Sequence, residues 1–113
     1  DVRTVPEWQF VGLPDVRGTQ GELATISWKH YPDFSPNAQF AQSLAQAGAT
    51  ADSVIFFLCR SGGRSLDAAV AMTAKGYGFC FNVSGGFEGD PDAQGHRGTK
   101  DGWKAKQLPW KQP

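Results

Sequence analysis

The chain has 113 residues, of which 40% are hydrophobic and 19% are charged, and its 11 basic and 11 acidic side chains give a formal net charge of zero. This length suits one domain with one core, residues 1–113, and the composition argues against disorder. A chain without net charge has no general attraction for nucleic acid or anionic membranes. We therefore expect neither as a partner, and we expect any anion-binding site to be local.

Helical signals open the chain. Thr4 is a candidate cap, Pro6 lies near the first turn and acidic Glu7 follows, which predicts a short helix over residues 4–10. Glycine, proline and polar residues predict a loop over residues 12–21. A short strand is expected over residues 23–28, followed by a second loop over residues 29–36.

The middle of the chain carries the next helix and the most apolar strand. Ser35 and Pro36 predict a helix start, apolar residues then recur at helical spacing from Phe40, and Gly48 predicts the stop. Residues 54–58 are continuously apolar. That pattern is typical of a central strand covered on both faces.

Residues 66–75 predict a further helix, in which Leu66, Ala69, Val70 and Thr73 share one face, and residues 79–83 predict another strand. The order strand–helix–strand–helix–strand predicts an α/β domain with parallel pairing and right-handed crossovers. Residues 89–102 are rich in glycine and polar groups and predict an exposed loop. A short helical turn with two tryptophan anchors is expected near the end of the chain.

Cys59 lies where the apolar strand meets the helix, in a loop with two glycines and two arginines. A sulfur nucleophile must be ionised to react, and a free cysteine is mostly protonated in neutral water. The positive end of the following helix, inward-facing backbone N–H groups and the arginine charges would all favour the thiolate. The candidate nucleophile is therefore Cys59, and the candidate anion-binding residues are Arg60, Ser61, Gly62, Gly63, Arg64 and Ser65.

The two cysteines could form one disulfide, but the setting of Cys59 favours a free thiol. Free reactive thiols persist in reducing compartments, so we expect a cytoplasmic protein. No apolar run approaches the roughly 20 residues of a membrane span. His30 and His96 have no neighbouring ligands at metal-binding spacing, so neither a metal nor a cofactor is expected.

The loop sequence resembles the active-site loop of the rhodanese-like sulfurtransferases, and segments along nearly the whole chain agree with it. These segments are Asp1-Val2-Arg3 with Glu7-Trp8, then Gly76-Tyr77, then Asn82-Val83-Ser84-Gly85-Gly86-Phe87, and finally Gly102-Trp103 with Leu108-Pro109-Trp110. The resemblance implies a three-layer α/β domain with a central, mostly parallel sheet flanked by helices. In this family a helix and a strand usually precede the Asp1-Val2-Arg3 segment, so we expect them to be missing upstream.

The resemblance also implies a double-displacement reaction. Cys59 would take the outer sulfur of an anionic donor such as thiosulfate and pass it to cyanide or a thiol. The backbone amides of residues 60–65 would cradle the sulfur, and Arg60 or Arg64 would attract the donor.

Two alternatives remain open. A sulfur-carrier or regulatory module would need the same cysteine and would act on a partner protein. Related phosphatases and arsenate reductases use a loop one residue longer, C-x5-R, whereas Cys59 and Arg64 are spaced C-x4-R. The shorter loop favours a single sulfur atom over a tetrahedral anion.

Overall fold

A computed structural model describes all residues from Asp1 to Pro113. The chain forms four helices and six short strands. In chain order these are α1 (Val5–Phe10), β1 (Leu13–Pro14), β2 (Lys29–His30), β3 (Ser35–Pro36), α2 (Phe40–Gln46), β4 (Val54–Phe57), α3 (Gly63–Ala74), β5 (Phe79–Asn82), α4 (Gly102–Ala105) and β6 (Trp110–Lys111).

The parallel pair β4 and β5 forms the centre of the fold. Their register runs from Val54 opposite Phe79 to Phe57 opposite Asn82, and α3 connects them. Antiparallel strands need only a tight turn, but a parallel pair needs such a crossover. The expected parallel α/β organisation is therefore confirmed. It places the carboxyl end of β4, where Cys59 follows, beside the carboxyl end of β5.

The amino-terminal segment extends this layer on the other side of β4. The Val2 N–H donates to the Leu58 carbonyl oxygen at 2.8 Å, while the Val2 carbonyl accepts from the Trp28 N–H at 3.0 Å. Residues 23–28 are not a regular strand, so that prediction is wrong, although their N–H groups bond to the neighbouring backbone in the manner of one. The strand lies at Lys29–His30 instead and pairs with β3 in a hairpin, where we expected a loop.

Helix α2 begins four residues later than Pro36 suggested, because Ser35 and Pro36 belong to β3. Asn37 explains the delay. Its side-chain oxygen accepts from the Gln39 N–H at 3.0 Å, and its amide donates to the Ser27 carbonyl at 2.8 Å. This local turn competes with helix at these positions. Gly48 ends the helix as expected, with φ of +102°.

Strand β4 is covered on one face only, which corrects the prediction of a strand buried on both. Phe57 is 2% exposed, whereas Phe56 is 64% exposed. Continuous hydrophobicity hid the alternation, because apolar residues occupy both faces. Phe56 stacks on Phe81 of β5 at 5.4 Å between ring centroids, so the outer face is itself a small apolar surface.

The core lies between the inner face of β4 and β5, helix α3 and helix α2. Helix α3 presents Ser65, Ala68, Ala69 and Met72 to it. The predicted face is thus rotated: Leu66 and Val70 are 50% and 63% exposed. Small residues on the buried face let the helix approach the sheet closely.

The carboxyl-terminal segment packs against the turn that follows β5, where the Trp103 N–H donates to the Gly86 carbonyl at 2.8 Å and the Lys104 N–H donates to the Phe87 carbonyl at 3.1 Å. Strand β6 pairs antiparallel with β1, in a region expected to be loop, and the predicted terminal helical turn is α4. Lys104 of α4 donates to the Val11 carbonyl at 2.9 Å and lies 4.0 Å from the Trp110 ring centroid. No helix combines the length and hydrophobicity that a membrane crossing requires.

Candidate active site

The loop of residues 58–62 is fixed by the segment that follows β5. The Cys59 carbonyl accepts from the Phe87 N–H at 2.8 Å, and the Arg60 carbonyl accepts from the Glu88 N–H at 3.0 Å. Gly86 has φ of +69°, and a Cβ there would collide with the Arg60 backbone. The glycine turn after β5 therefore lets two backbone segments meet directly and holds the cysteine loop in place.

Gly62 turns the chain from this loop into α3. It has φ of +107°, a conformation that strongly favours glycine, and a Cβ there would collide with the Ser84 carbonyl oxygen. Because Gly62 is the residue before α3, the amino-terminal N–H groups of that 12-residue helix lie beside Cys59. Here sequence and backbone geometry together direct partial positive charge at the thiol.

The Cys59 sulfur is buried but is surrounded by donors. The residue is 2% exposed, and its Sγ lies 3.2 Å from the Gly62 N–H nitrogen and 3.2 Å from the Ser65 hydroxyl. Burial raises the pKa of Cys59, but hydrogen bonds from the hydroxyl and amide of Ser65 and from the amides of Gly62 and Ser61 outweigh it. The net pKa is lowered, so the site stabilises the thiolate relative to that of a free cysteine.

Arg64 is paired with a carboxylate rather than directed at the sulfur. Its guanidinium donates two hydrogen bonds to Glu7 of α1, at 2.8 and 3.0 Å. Burial raises the pKa of Glu7, but Arg64 and the Thr4 cap lower it more, from 4.5 to about 2. Glu7 is therefore an anion at neutral pH and neutralises much of the charge of Arg64.

The remaining predicted loop residues differ in their positions. Arg60 is exposed and forms no ion pair. Ser61 is half-buried, and its amide is one of the groups that lower the pKa of Cys59. Gly63 is exposed at the start of α3, and open space surrounds its α-carbon. Of the two arginines, Arg60 is thus the one free to meet an incoming anion.

A second cation lies beneath the site. Arg3 is fully buried, pairs with Asp1 and lies 4.4 Å from the Phe87 ring centroid. Burial lowers the pKa of Arg3 to about 10, which leaves it protonated at neutral pH. Because Asp1 pairs with this guanidinium, much of its charge is compensated, as at Arg64.

Two site residues were missed by the sequence interpretation. The sequence predicts Glu7 as part of a helix start and of a family segment, without a role at the loop. It predicts Asn82 as part of a strand, yet the Asn82 side chain contacts Ser65 and Gly62. One signal was available for Asn82: a polar residue ends the apolar strand parallel to β4, and parallel strands end at the same edge.

Both cysteines are free thiols, and Cys80 is half-buried on β5. No group of three or more histidine, cysteine, aspartate or glutamate side chains is placed to hold a metal ion.

Comparisons with protein families, related sequences and solved structures give results that agree with one another. The rhodanese-like domain family matches residues 1–90. Uncharacterized proteins of Rickettsia conorii and Rickettsia rickettsii are each 40% identical over 110 residues, covering 97% of this chain and 79% of theirs. The crystal structure of Rv0390 from M. tuberculosis superposes with a TM-score of 0.88 at 42% identity, covering all of this chain and 82% of that one.

Proposed function

Since the chain belongs to the rhodanese-like family, we propose that it is a sulfurtransferase that carries one sulfur atom on Cys59 as a persulfide. The observation that carries the proposal is the setting of this sulfur: 2% residue exposure combined with hydrogen bonds from Gly62 and Ser65. A cysteine that served packing alone would not need donors converging on its sulfur.

The reaction proceeds in two displacements. The Cys59 thiolate attacks the outer sulfur of thiosulfate, a new S–S bond forms, and sulfite leaves with the electron pair of the bond that breaks. Cyanide or a thiolate then attacks the same outer sulfur, and Cys59 leaves as the thiolate. Donors already directed at Sγ stabilise the negative charge at both ends of this cycle.

Arg60 is the cation that we assign to donor attraction. Arg64 is held by Glu7, so its charge is largely compensated, whereas Arg60 is exposed without a carboxylate partner. A dianionic donor would be drawn to the loop entrance by this side chain.

The length and packing of the cysteine loop bear on the phosphatase alternative. A phosphatase loop must enclose a whole tetrahedral anion above its cysteine. Here the loop is one residue shorter, and Gly62 is packed against the Ser84 carbonyl. These features favour an incoming group that presents one atom to the sulfur.

Thiocyanate formation from thiosulfate and cyanide tests the proposal. Cys59→Ser should lower the rate more than about 100-fold, because the nucleophile is lost, while the circular dichroism spectrum is unchanged. Cys80→Ser is the matched control and should keep the parent rate. Transfer only to a protein thiol would support the sulfur-carrier alternative, and hydrolysis of an aryl phosphate without thiocyanate formation would contradict the proposal.

A further inference from the structure

Three polar groups meet behind the Cys59 sulfur. The Ser65 hydroxyl lies 3.2 Å from Cys59 Sγ and 2.6 Å from Asn82 Oδ1, and Asn82 Nδ2 lies 3.1 Å from the Gly62 carbonyl oxygen. Ser65 is fully buried. Solvent therefore does not compete for its hydroxyl.

The orientation of Asn82 follows from its partners. The Gly62 carbonyl can only accept a hydrogen bond, so the Asn82 NH₂ must face it. The Asn82 carbonyl oxygen must then face Ser65, where it accepts. A serine hydroxyl has one proton, yet here it has two acceptors: the Asn82 oxygen and, when ionised, the Cys59 sulfur.

We propose that Asn82 is a positioning residue that competes with Cys59 for the single hydroxyl proton of Ser65 and so sets how strongly the sulfur is held as an anion. The inference deepens the proposed function, since it rests on Cys59 acting as a thiolate. It goes beyond the loop itself by including a residue from the neighbouring strand.

The two ionisation states of Cys59 use the proton differently. With a neutral thiol, Ser65 donates to Asn82 and accepts from the S–H. On ionisation, Ser65 turns its proton to Sγ and the Asn82 oxygen loses its donor. Asn82 thus opposes ionisation through Ser65, while its NH₂ group holds Gly62 in the position from which that amide donates to Sγ.

A double-mutant cycle tests this competition. The thiolate absorbance of Cys59 is titrated against pH in a Cys80→Ser background, with Cys59→Ser as the blank. Ser65→Ala is measured with Asn82 present and again together with Asn82→Ala. A hydrogen bond to a charged acceptor corresponds to a pKa change of about one unit. We expect Ser65→Ala to raise the Cys59 pKa by about that much in the Asn82→Ala background, and by less than about half as much when Asn82 is present.

An equal rise in both backgrounds would overturn the proposal, since it would mean that Asn82 acts through the loop alone. Asn82→Ala also removes the hydrogen bond that holds Gly62, but it does so both with Ser65 and with Ser65→Ala. The effect of this loss on the Cys59 pKa therefore cancels when those two variants are compared. Asn82→Asp provides a second comparison. Its carboxylate binds the hydroxyl proton of Ser65 more strongly, so the rise in the Cys59 pKa caused by Ser65→Ala should fall towards zero in this background.

The charged groups around Cys59, namely Arg3 with its partner Asp1 and Arg64 with its partner Glu7, are the same in every variant, and the one carboxylate that Asn82→Asp adds is present both with Ser65 and with Ser65→Ala. Near-ultraviolet circular dichroism verifies that each variant is folded. The readout needs no sulfur donor, so failure of thiosulfate turnover would refute the proposed function without affecting this test.

Discussion

Cys59 is both part of the core and the candidate nucleophile. It packs with Phe57, Ala68 and Met72, yet its sulfur faces a hydroxyl and loop amides. Burial alone would favour the neutral thiol, so the hydrogen bonds must outweigh desolvation for the site to work. Reactivity at this residue therefore depends on the precision of its neighbours more than on exposure.

The ion pair between Glu7 and Arg64 gives a pH-dependent prediction. The pKa of Glu7 is lowered from 4.5 to about 2 in the folded chain. Its stabilisation is therefore fully present above pH 4.5 and is lost as the pH falls towards 2. Glu7→Gln should lower the free energy of unfolding by roughly 2 kcal/mol at pH 7, and this difference should vanish near pH 2. Urea unfolding across this pH range measures it.

Asp15→Asn is the matched control for Glu7→Gln. Asp15 also pairs with an arginine, Arg17, but that guanidinium is 78% exposed and only two residues away. Such a pair is screened by water and can form in the unfolded chain as well. The control should change stability little at any pH, and an equal pH-dependent loss in both variants would contradict a specific role for Glu7.

At the scale of elements, the turn from β4 into α3 positions the chemistry. Gly62 adopts positive φ and packs against the Ser84 carbonyl, whereas Gly63 lies in open space with ordinary helical geometry. The backbone conformation and packing at position 62 therefore require glycine, whereas those at position 63 would accept another residue. Sequence alone could not distinguish them.

Alanine substitutions separate the two glycines. Gly62→Ala should lower the free energy of unfolding by about 2 kcal/mol or more, from backbone strain and overpacking, and should impair reaction at Cys59. Gly63→Ala should be neutral or stabilising by up to about 1 kcal/mol, because alanine favours helix. Thermal unfolding and alkylation of Cys59 measure both effects. Equal effects of the two substitutions would contradict the described geometry.

Local sequence signals predicted the elements that they control. The Thr4 cap, the Gly48 stop, β5 and the helix after Cys59 were all expected. The start of α2 was not, since it depends on the Asn37 amide reaching Ser27, a contact between residues ten apart. The partner of Arg64 was hidden for the same reason, because Glu7 lies 57 residues away in the chain. Contacts of this kind follow from the fold and leave no local signature.

Across the whole molecule, the two faces of the β4–β5 layer differ. The inner face packs on the helices, while Val54, Phe56, Phe79 and Phe81 on the outer face are 48–64% exposed. Residues 54–58 are apolar without interruption, so the sequence does not reveal which face of β4 is exposed and predicts a strand buried on both faces. Cys59 follows β4 with its side chain in the core, so the outer face takes no part in the candidate site.

The intact mass of the protein after incubation with thiosulfate tests the central claim most directly. The account predicts a gain of one sulfur atom, located on Cys59 by peptide mapping, present in Cys80→Ser and absent from Cys59→Ser. Cyanide should remove the added atom and restore the starting mass. An unchanged mass in the folded protein, or a sulfur atom found on Cys80 instead, would contradict the account.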